Sequence, residues 1–220
     1  MSKIFAIVPV KPLDSAKGRL SACLSPQQRR RLVLTMLEDV LAALAPVSPI
    51  AQKLVVTADP DVAAQASRHG AGVIAEPEAR GLNAGVEHGI RDAVRAGATR
   101  VLVLPADLPF ATSDELGRLV GDGTAPARPE LTMVPAADGD GTNALLISPP
   151  AAIAPSFGPG SFLAHLAQAL ARRIDVRVLH LSGLALDIDR PQDLARLAGL
   201  PRYAFLSHQE PLHARGEPGP

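Results

Sequence analysis

Seven short runs rich in Val, Ile and Leu, separated by stretches whose apolar residues recur every three or four positions, constrain the fold of this chain more than any other feature. The runs cover 4–8, 53–57, 72–75, 100–105, 131–134, 144–148 and 176–181. They are continuous rather than alternating, which is the pattern of strands covered on both faces. Between several of them Leu32, Met36, Val40 and Leu44, then Leu82, Val86, Ile90 and Val94, then Phe162, Leu166 and Leu170 each fall on one helical stripe. Helix starts are marked by Ser25 before Pro26 and Gln28, Asp59 before Pro60, Ser113 before Asp114 and Glu115, and Pro191 after Asp189 and Arg190. Strand and helix alternate, so the pattern predicts a single α/β domain with a mostly parallel mixed sheet flanked by helices. Its ligands belong in the loops at the carboxyl ends of the strands.

At 220 residues, 47% of them hydrophobic, the chain is long enough for one domain with a sizeable core. That domain is expected over 1–200; from there to 220 periodicity is lost and Pro, Gly, Arg and Glu accumulate, which reads as a flexible tail or a dimer arm. Lys plus Arg and Asp plus Glu both number 22, so no overall basic field exists to recruit nucleic acid or an anionic membrane, and small ligands move up. The single Cys23 excludes an internal disulfide and a Cys-rich zinc site. The opening MSKIFAIVPVK is apolar too briefly for a signal or a membrane span, so the cytoplasm is the expected location.

The loops carry the chemistry. After the first run, VPVKPLDSAKGRL sets Lys11, Lys17 and Arg19 among Pro, Ser and Gly, either as a solvated basic loop or as one folded over polyphosphate oxygens. Neither G-x-x-x-x-G-K-[ST] nor G-x-G-x-x-G occurs. In VLVLPADLPF, Asp107 ends a buried strand, where it either caps a turn or meets a cation. In LALDIDRPQDL, Asp187 and Asp189 project to one face of an extended run, a costly arrangement unless a divalent ion neutralises them. Asp107 with Asp187 or Asp189 is therefore the expected magnesium site, since that ion takes only one or two carboxylates beside phosphate oxygens and water.

DGDGTNALLIS departs from a calcium loop at Thr142, Asn143 and Pro149. As a glycine turn into a strand it offers the Thr142 hydroxyl and the Asn143 amide to a ligand. In FGPGSFLAH, Gly158 and Gly160 let the main chain approach a ligand and Ser161 is the expected N-cap of a helix. The free N–H groups of its first turn suit a phosphate or carboxylate. A Ser161–His165 nucleophile pair lacks the G-x-S-x-G elbow and any third group. In EPEARGLNAGVEHG, Asn83 either reads a base edge or caps a helix.

Cations after one strand, acids after two others and an anion-holding helix start are equipment for magnesium-assisted nucleotidyl transfer by positioning and charge neutralisation. The order of the motifs VPVKPLDSAKGRL, GLNAGVEHGI, PADLPF, GTNALL, FGPGSF and DIDRPQDL, from about Ile4 to Leu197, resembles the 2-phospho-L-lactate guanylyltransferase family of coenzyme F-420 biosynthesis. The resemblance implies a single-domain, glycosyltransferase-A-like nucleotidyltransferase fold, a homodimer, and GTP and a small phosphorylated acid as substrates. It implies that Lys11, Lys17 and Arg19 contact GTP phosphates, that the segment around Asn83 lies by the base, and that Asp107, Asp187 and Asp189 hold magnesium. Thr142, Gly158 and Ser161, with Asn143 and Gly160 beside them, would hold the acceptor's phosphate and carboxylate. Lys11, Lys17 and Asp107 are the expected catalytic groups. Pro159 removes a backbone donor from the glycine turn, a departure that favours phosphoenolpyruvate or 3-phospho-D-glycerate over 2-phospho-L-lactate as acceptor. The competing expectations are a molybdopterin or sugar-phosphate enzyme of the same fold, disfavoured by Val10-Lys11-Pro12 after the first strand, and a non-catalytic nucleotide-binding protein.

Overall fold

The computed structural model describes residues 2–76 and 81–207. In chain order it contains β1 (Ile4–Pro9), α1 (Pro26–Leu44), β2 (Ile50–Thr57), α2 (Pro60–Arg68), β3 (Gly72–Ala75), α3 (Leu82–Arg95), β4 (Arg100–Val103), α4 (Ser113–Val120), β5 (Glu130–Pro135), β6 (Thr142–Ser148), α5 (Ser161–Ala171) and β7 (Asp175–Val178). Three 3-10 turns, Gly18–Leu20, Pro191–Leu197 and Pro201–Ser207, complete it. All seven apolar runs became strands. β4 stops at Val103, ahead of Pro105, which has no N–H to give to a ladder.

The strands form one sheet in the order β3-β2-β1-β4-β6-β5-β7. β1 pairs in parallel with β2 and β4, β2 with β3, and β5 with β7, whereas β6 runs antiparallel to both of its neighbours. Because β6 is reversed, its first residues, Thr142 and Asn143, arrive at the same rim as the carboxyl ends of the parallel strands. From β1 the chain winds outward through β2 and β3, then returns to the other side of β1 as β4. The crevice outside the ends of β1 and β4 is therefore the topological switch point, where open α/β sheets bind ligands.

Alternate residues of β1 feed two cores. Ile4, Ala6 and Val8 pack with α1, α2 and α4 on one face; Phe5 and Ile7 pack with α3 and α5 on the other. Local capping agrees with the pattern read from sequence. Ser25 and Gln28 form a reciprocal capping box on α1. The Asp59 carboxylate accepts the Asp61 and Val62 N–H groups at the start of α2 through Oδ1, and through Oδ2 it holds the Leu13 N–H at 2.9 Å. One side chain thus fixes a helix and the basic loop. The cap of α4 shifts by one residue: Thr112 takes it, and the Ser113 hydroxyl instead donates to the Ala43 carbonyl at 3.0 Å.

A third, smaller cluster corrects the expected boundary at residue 200. Leu20, Leu24, Leu32, Met36, Ile188, Leu197 and Tyr203 are buried together, so Pro201–Ser207 is packed structure on α1 of its own chain. Arg202 pairs with Glu38 and Asp39, and Arg31 lies 4.3 Å from the centre of the Phe205 ring. The remainder of the predicted tail, 208–220, lies outside the described residues. Among the described residues no helix is long and apolar enough to cross a membrane.

Candidate active site

The loop after β1 rises from the switch point, turns at Lys17, and sends its side chain back across the rim. Lys17 sits in the left-handed backbone region at φ 52, where a non-glycine residue persists only if its surroundings hold it there. Two carboxylates hold it: its Nζ lies 2.6 Å from Asp107 Oδ2 and 3.6 Å from Asp189 Oδ1, with the side chain 9% exposed. Burial by itself would lower the ammonium's pKa. The charges of Asp107, Asp189 and Asp187 outweigh that and raise it, so Lys17 is a fixed cation.

The three aspartates come from two segments tied together by backbone. Ile188 N–H donates to the Asp107 carbonyl at 3.1 Å, setting the extended 187–189 run beside the end of β4. Leu20 and Ile188, both wholly buried in the third cluster, anchor the basic loop and this run to one another from beneath. Asp189 is held by cations at both oxygens, Lys17 at Oδ1 and Arg19 at Oδ2. Asp187 is held differently: its Oδ1 accepts the Asn143 amide at 3.2 Å. Burial first, and then the Asp107 charge, push its carboxyl above the usual range, against the pull of Asn143 and Lys17. Within this cluster three carboxylates face two cations, Lys17 and Arg19.

This arrangement divides the expected metal set. Lys17 uses Oδ2 of Asp107 and Asn143 uses Oδ1 of Asp187, so neither carboxylate is held by cations at both oxygens, whereas Asp189 is committed to Lys17 and Arg19. Among the described residues no three His, Cys, Asp or Glu side chains assemble a cage for a metal ion. The donor chemistry fits a hard divalent ion that takes two carboxylates and completes its shell with phosphate oxygens and water.

Among the residues expected to hold the acceptor, the structure moves several assignments. Gly160, in the left-handed region at φ 69, is the N-cap of α5, and Ser161 is its first helical residue. The Ser161 hydroxyl is buried and accepts the Thr142 N–H at 2.8 Å. Several N–H groups at the start of α5 are used by the chain itself. Gly160 N–H goes to the Asp140 carboxylate at 2.9 Å, Phe162 N–H to the Asp140 carbonyl at 3.1 Å, and Ser161 N–H to the Gly158 carbonyl at 3.1 Å. Gly158, at φ 128, is exposed at the turn's tip in a conformation open to glycine. Asn83 neither caps α3, which starts from Gly81, nor points a free amide at a base. Its amide grips the Phe157 backbone, accepting N–H at 2.7 Å and donating to the carbonyl at 3.0 Å. Lys11 is exposed just past β1.

Sequence reasoning missed Asp140, His165 and Tyr203. His165 was legible only as half of an implausible nucleophile pair; in the fold it is wholly buried between Thr142 and Ser156.

A seven-stranded mixed sheet with cations and carboxylates gathered at its switch point is the nucleotidyltransferase fold. A nucleotidyl transferase from Methanothermobacter thermautotrophicus superposes with a TM-score of 0.64 at 20% identity, covering 93% of this chain and 98% of that one. CMP:2-keto-3-deoxy-manno-octonic acid synthetase, solved with CTP, gives 0.62 at 13% identity over 94% of this chain and 99% of its own. Sequence similarity narrows the class. Residues 4–199 match the model described as guanylyl transferase CofC like, and the chain belongs to that family. It is 44% identical to the phosphoenolpyruvate guanylyltransferase of Sphaerobacter thermophilus over 88% of this chain and 92% of that one. To the enzyme of the same name from Rubrobacter xylanophilus it is also 44% identical, over 88% and 93%. To the 2-phospho-L-lactate guanylyltransferase of Methanothermobacter thermautotrophicus it is 33% identical, over 97% and 88%.

Proposed function

We propose that the protein joins GMP from GTP to the phosphate of phosphoenolpyruvate, releasing pyrophosphate, as a step toward coenzyme F-420. The observation that carries this reading is the convergence of Lys17, Arg19, Asp107 and Asp187 at the switch point, in a chain whose guanylyltransferase relatives at 44% identity bear the phosphoenolpyruvate name.

Lys11, Lys17 and Arg19 are the groups in reach of a triphosphate over the first loop. Asp107 and Asp187 would hold magnesium, which supplies charge neutralisation at the α-phosphate when bound. Asn143 keeps Asp187 turned toward Asp107, and Asp189 keeps Lys17 and Arg19 in place. An oxygen of the acceptor phosphate attacks the α-phosphorus; the bond from that phosphorus to the bridging oxygen breaks, and pyrophosphate leaves with the electron pair. Since a phosphate monoester is largely dianionic near neutral pH, no base has to remove a proton. Thr142 and the Gly158–Gly160 turn would form the acceptor side, with the Ser161 hydroxyl bracing the Thr142 N–H.

The test is pyrophosphate release with magnesium, crossing GTP, CTP and ATP against phosphoenolpyruvate, 2-phospho-L-lactate and 3-phospho-D-glycerate, with products weighed by mass spectrometry. Turnover with GTP and phosphoenolpyruvate in large excess over the other pairs is expected. Preference for another acid would replace the acceptor and keep the transfer; no product from any pair would overturn the reading.

A further inference from the structure

Thr142 and His165 are linked at 3.0 Å between Oγ1 and Nδ1, the imidazole fully buried and Thr142 4% exposed at the start of β6. The direction of that bond follows from the other ring nitrogen. Nε2 lies 2.9 Å from the Ser156 N–H, a group that can only donate, so Nε2 carries no proton. A neutral ring must then carry its proton on Nδ1 and give it to the Thr142 oxygen. Desolvation keeps the ring neutral, lowering its pKa to about 4. Once its oxygen accepts from His165, the threonine's own O–H proton is free for another acceptor. The main-chain N–H of Thr142 is already taken by Ser161 Oγ.

The ring is itself immobilised. Phe157 meets it edge to face at 5.0 Å, Asn83 grips the Phe157 backbone on both sides, and Gln168 holds the Ser156 hydroxyl at 2.9 Å and the Ala154 carbonyl at 3.0 Å. Next to Thr142, Asn143 aims the Asp187 carboxylate. The imidazole therefore stands at the join of three things: the start of β6, the glycine turn and the first turns of α5.

We infer that His165 is a positioning residue for the acceptor, fixing the Thr142 hydroxyl so that its proton is presented to an anionic acceptor rather than turned inward. This rests on the reading of Thr142 as lining the acceptor side. Polar contacts of this kind to a charged ligand are worth about tenfold in affinity.

Three variants and one spectrum decide it. His165→Asn keeps a donor near the Nδ1 position for Thr142, whereas His165→Gln keeps an acceptor near Nε2 for Ser156 and loses the threonine. We expect His165→Gln to raise the acceptor's KM about tenfold with the KM for GTP unchanged, and His165→Asn to raise it much less. Equal effects of the two, or a parallel rise in the KM for GTP, would overturn the inference by marking a merely structural role. Thr142→Val separates the layers: if it leaves the acceptor's KM unchanged, the underlying placement of Thr142 fails, whereas a raised KM there with no effect of His165→Gln defeats the inference alone. Should the histidine variants not fold, nitrogen-15 spectra of the wild-type ring still decide, since the proton must reside on Nδ1; a proton on Nε2 would refute the geometry.

Discussion

Lys17 places a positive charge between Asp107 and Asp189 within the protein itself. Its removal strips the compensating charge from Asp107 and Asp189. Lys17→Met should lower unfolding free energy in chelator by about 2 kcal/mol, less than for a fully buried pair because Asp107 is 28% exposed at its side chain. Millimolar manganese should restore the variant's Tm while barely moving the wild type's; equal shifts in both would show that the ammonium does not occupy the cation's position. Asp187 carries the opposite sign. Its raised pKa means that the folded state binds a proton more readily than the unfolded chain, so its charge at neutral pH is destabilising and stability falls as pH rises through that window. Asp187→Asn should therefore raise Tm at neutral pH, lose that advantage in acid, and lose turnover, readable from melting curves beside the pyrophosphate assay. His165 is held neutral to about pH 4, below the 6.5 of an unfolded histidine. The unfolded state thus takes up the proton first, and the stability present above pH 6.5 is lost as pH falls toward 4. Denaturant titrations over that range should show this slope in the wild type and its loss in His165→Asn.

At the scale of elements, two contacts decide how firmly the rim is held. Helix α3 rests on the sheet at Gly89, where a Cβ would come within 2.8 Å of both Ile7 Cγ2 and Val56 Cγ2. These are branches of stiff residues in the central strands and cannot swing aside, so Gly89→Ala should cost about 1–3 kcal/mol in chemical denaturation. A neutral result would mean that α3 can lift without loss. The 3-10 turn Pro201–Ser207 is the second. Tyr203 is 3% exposed and shares its cluster with Leu20 and Ile188, the residues beneath Arg19 and Asp187. Tyr203→Ala should lose about 3 kcal/mol and also raise the KM for GTP, whereas Gly89→Ala should leave that KM alone. An unchanged KM in Tyr203→Ala would sever the turn from the nucleotide loop.

For the molecule as a whole, the sheet was legible because buried strands write themselves as continuous apolar runs, and the rim was legible because Lys17, Asp107 and Asp187 each follow or flank such a run. The reversal of β6 was not, since a doubly covered strand reads the same in either direction. Nor was the filling of the α5 start by Asp140, a partner 20 residues away on an exposed turn. The packing of Tyr203 was hidden because a short 3-10 turn has no period to read. The reversed strand also has a consequence for how such a protein can change. It brings a strand's beginning, together with the turns before β6 and α5, to a rim otherwise built from strand ends, so under the proposed reaction the two substrates would be gripped by separate stretches of chain. On that proposal the loop after β1 and the end of β4 would serve the nucleotide, and Thr142 with the Gly158–Gly160 turn the acid. Under that proposal, loops on the second side could be lengthened, shortened or recharged without disturbing the first, so that the acid would change while the nucleotide stayed.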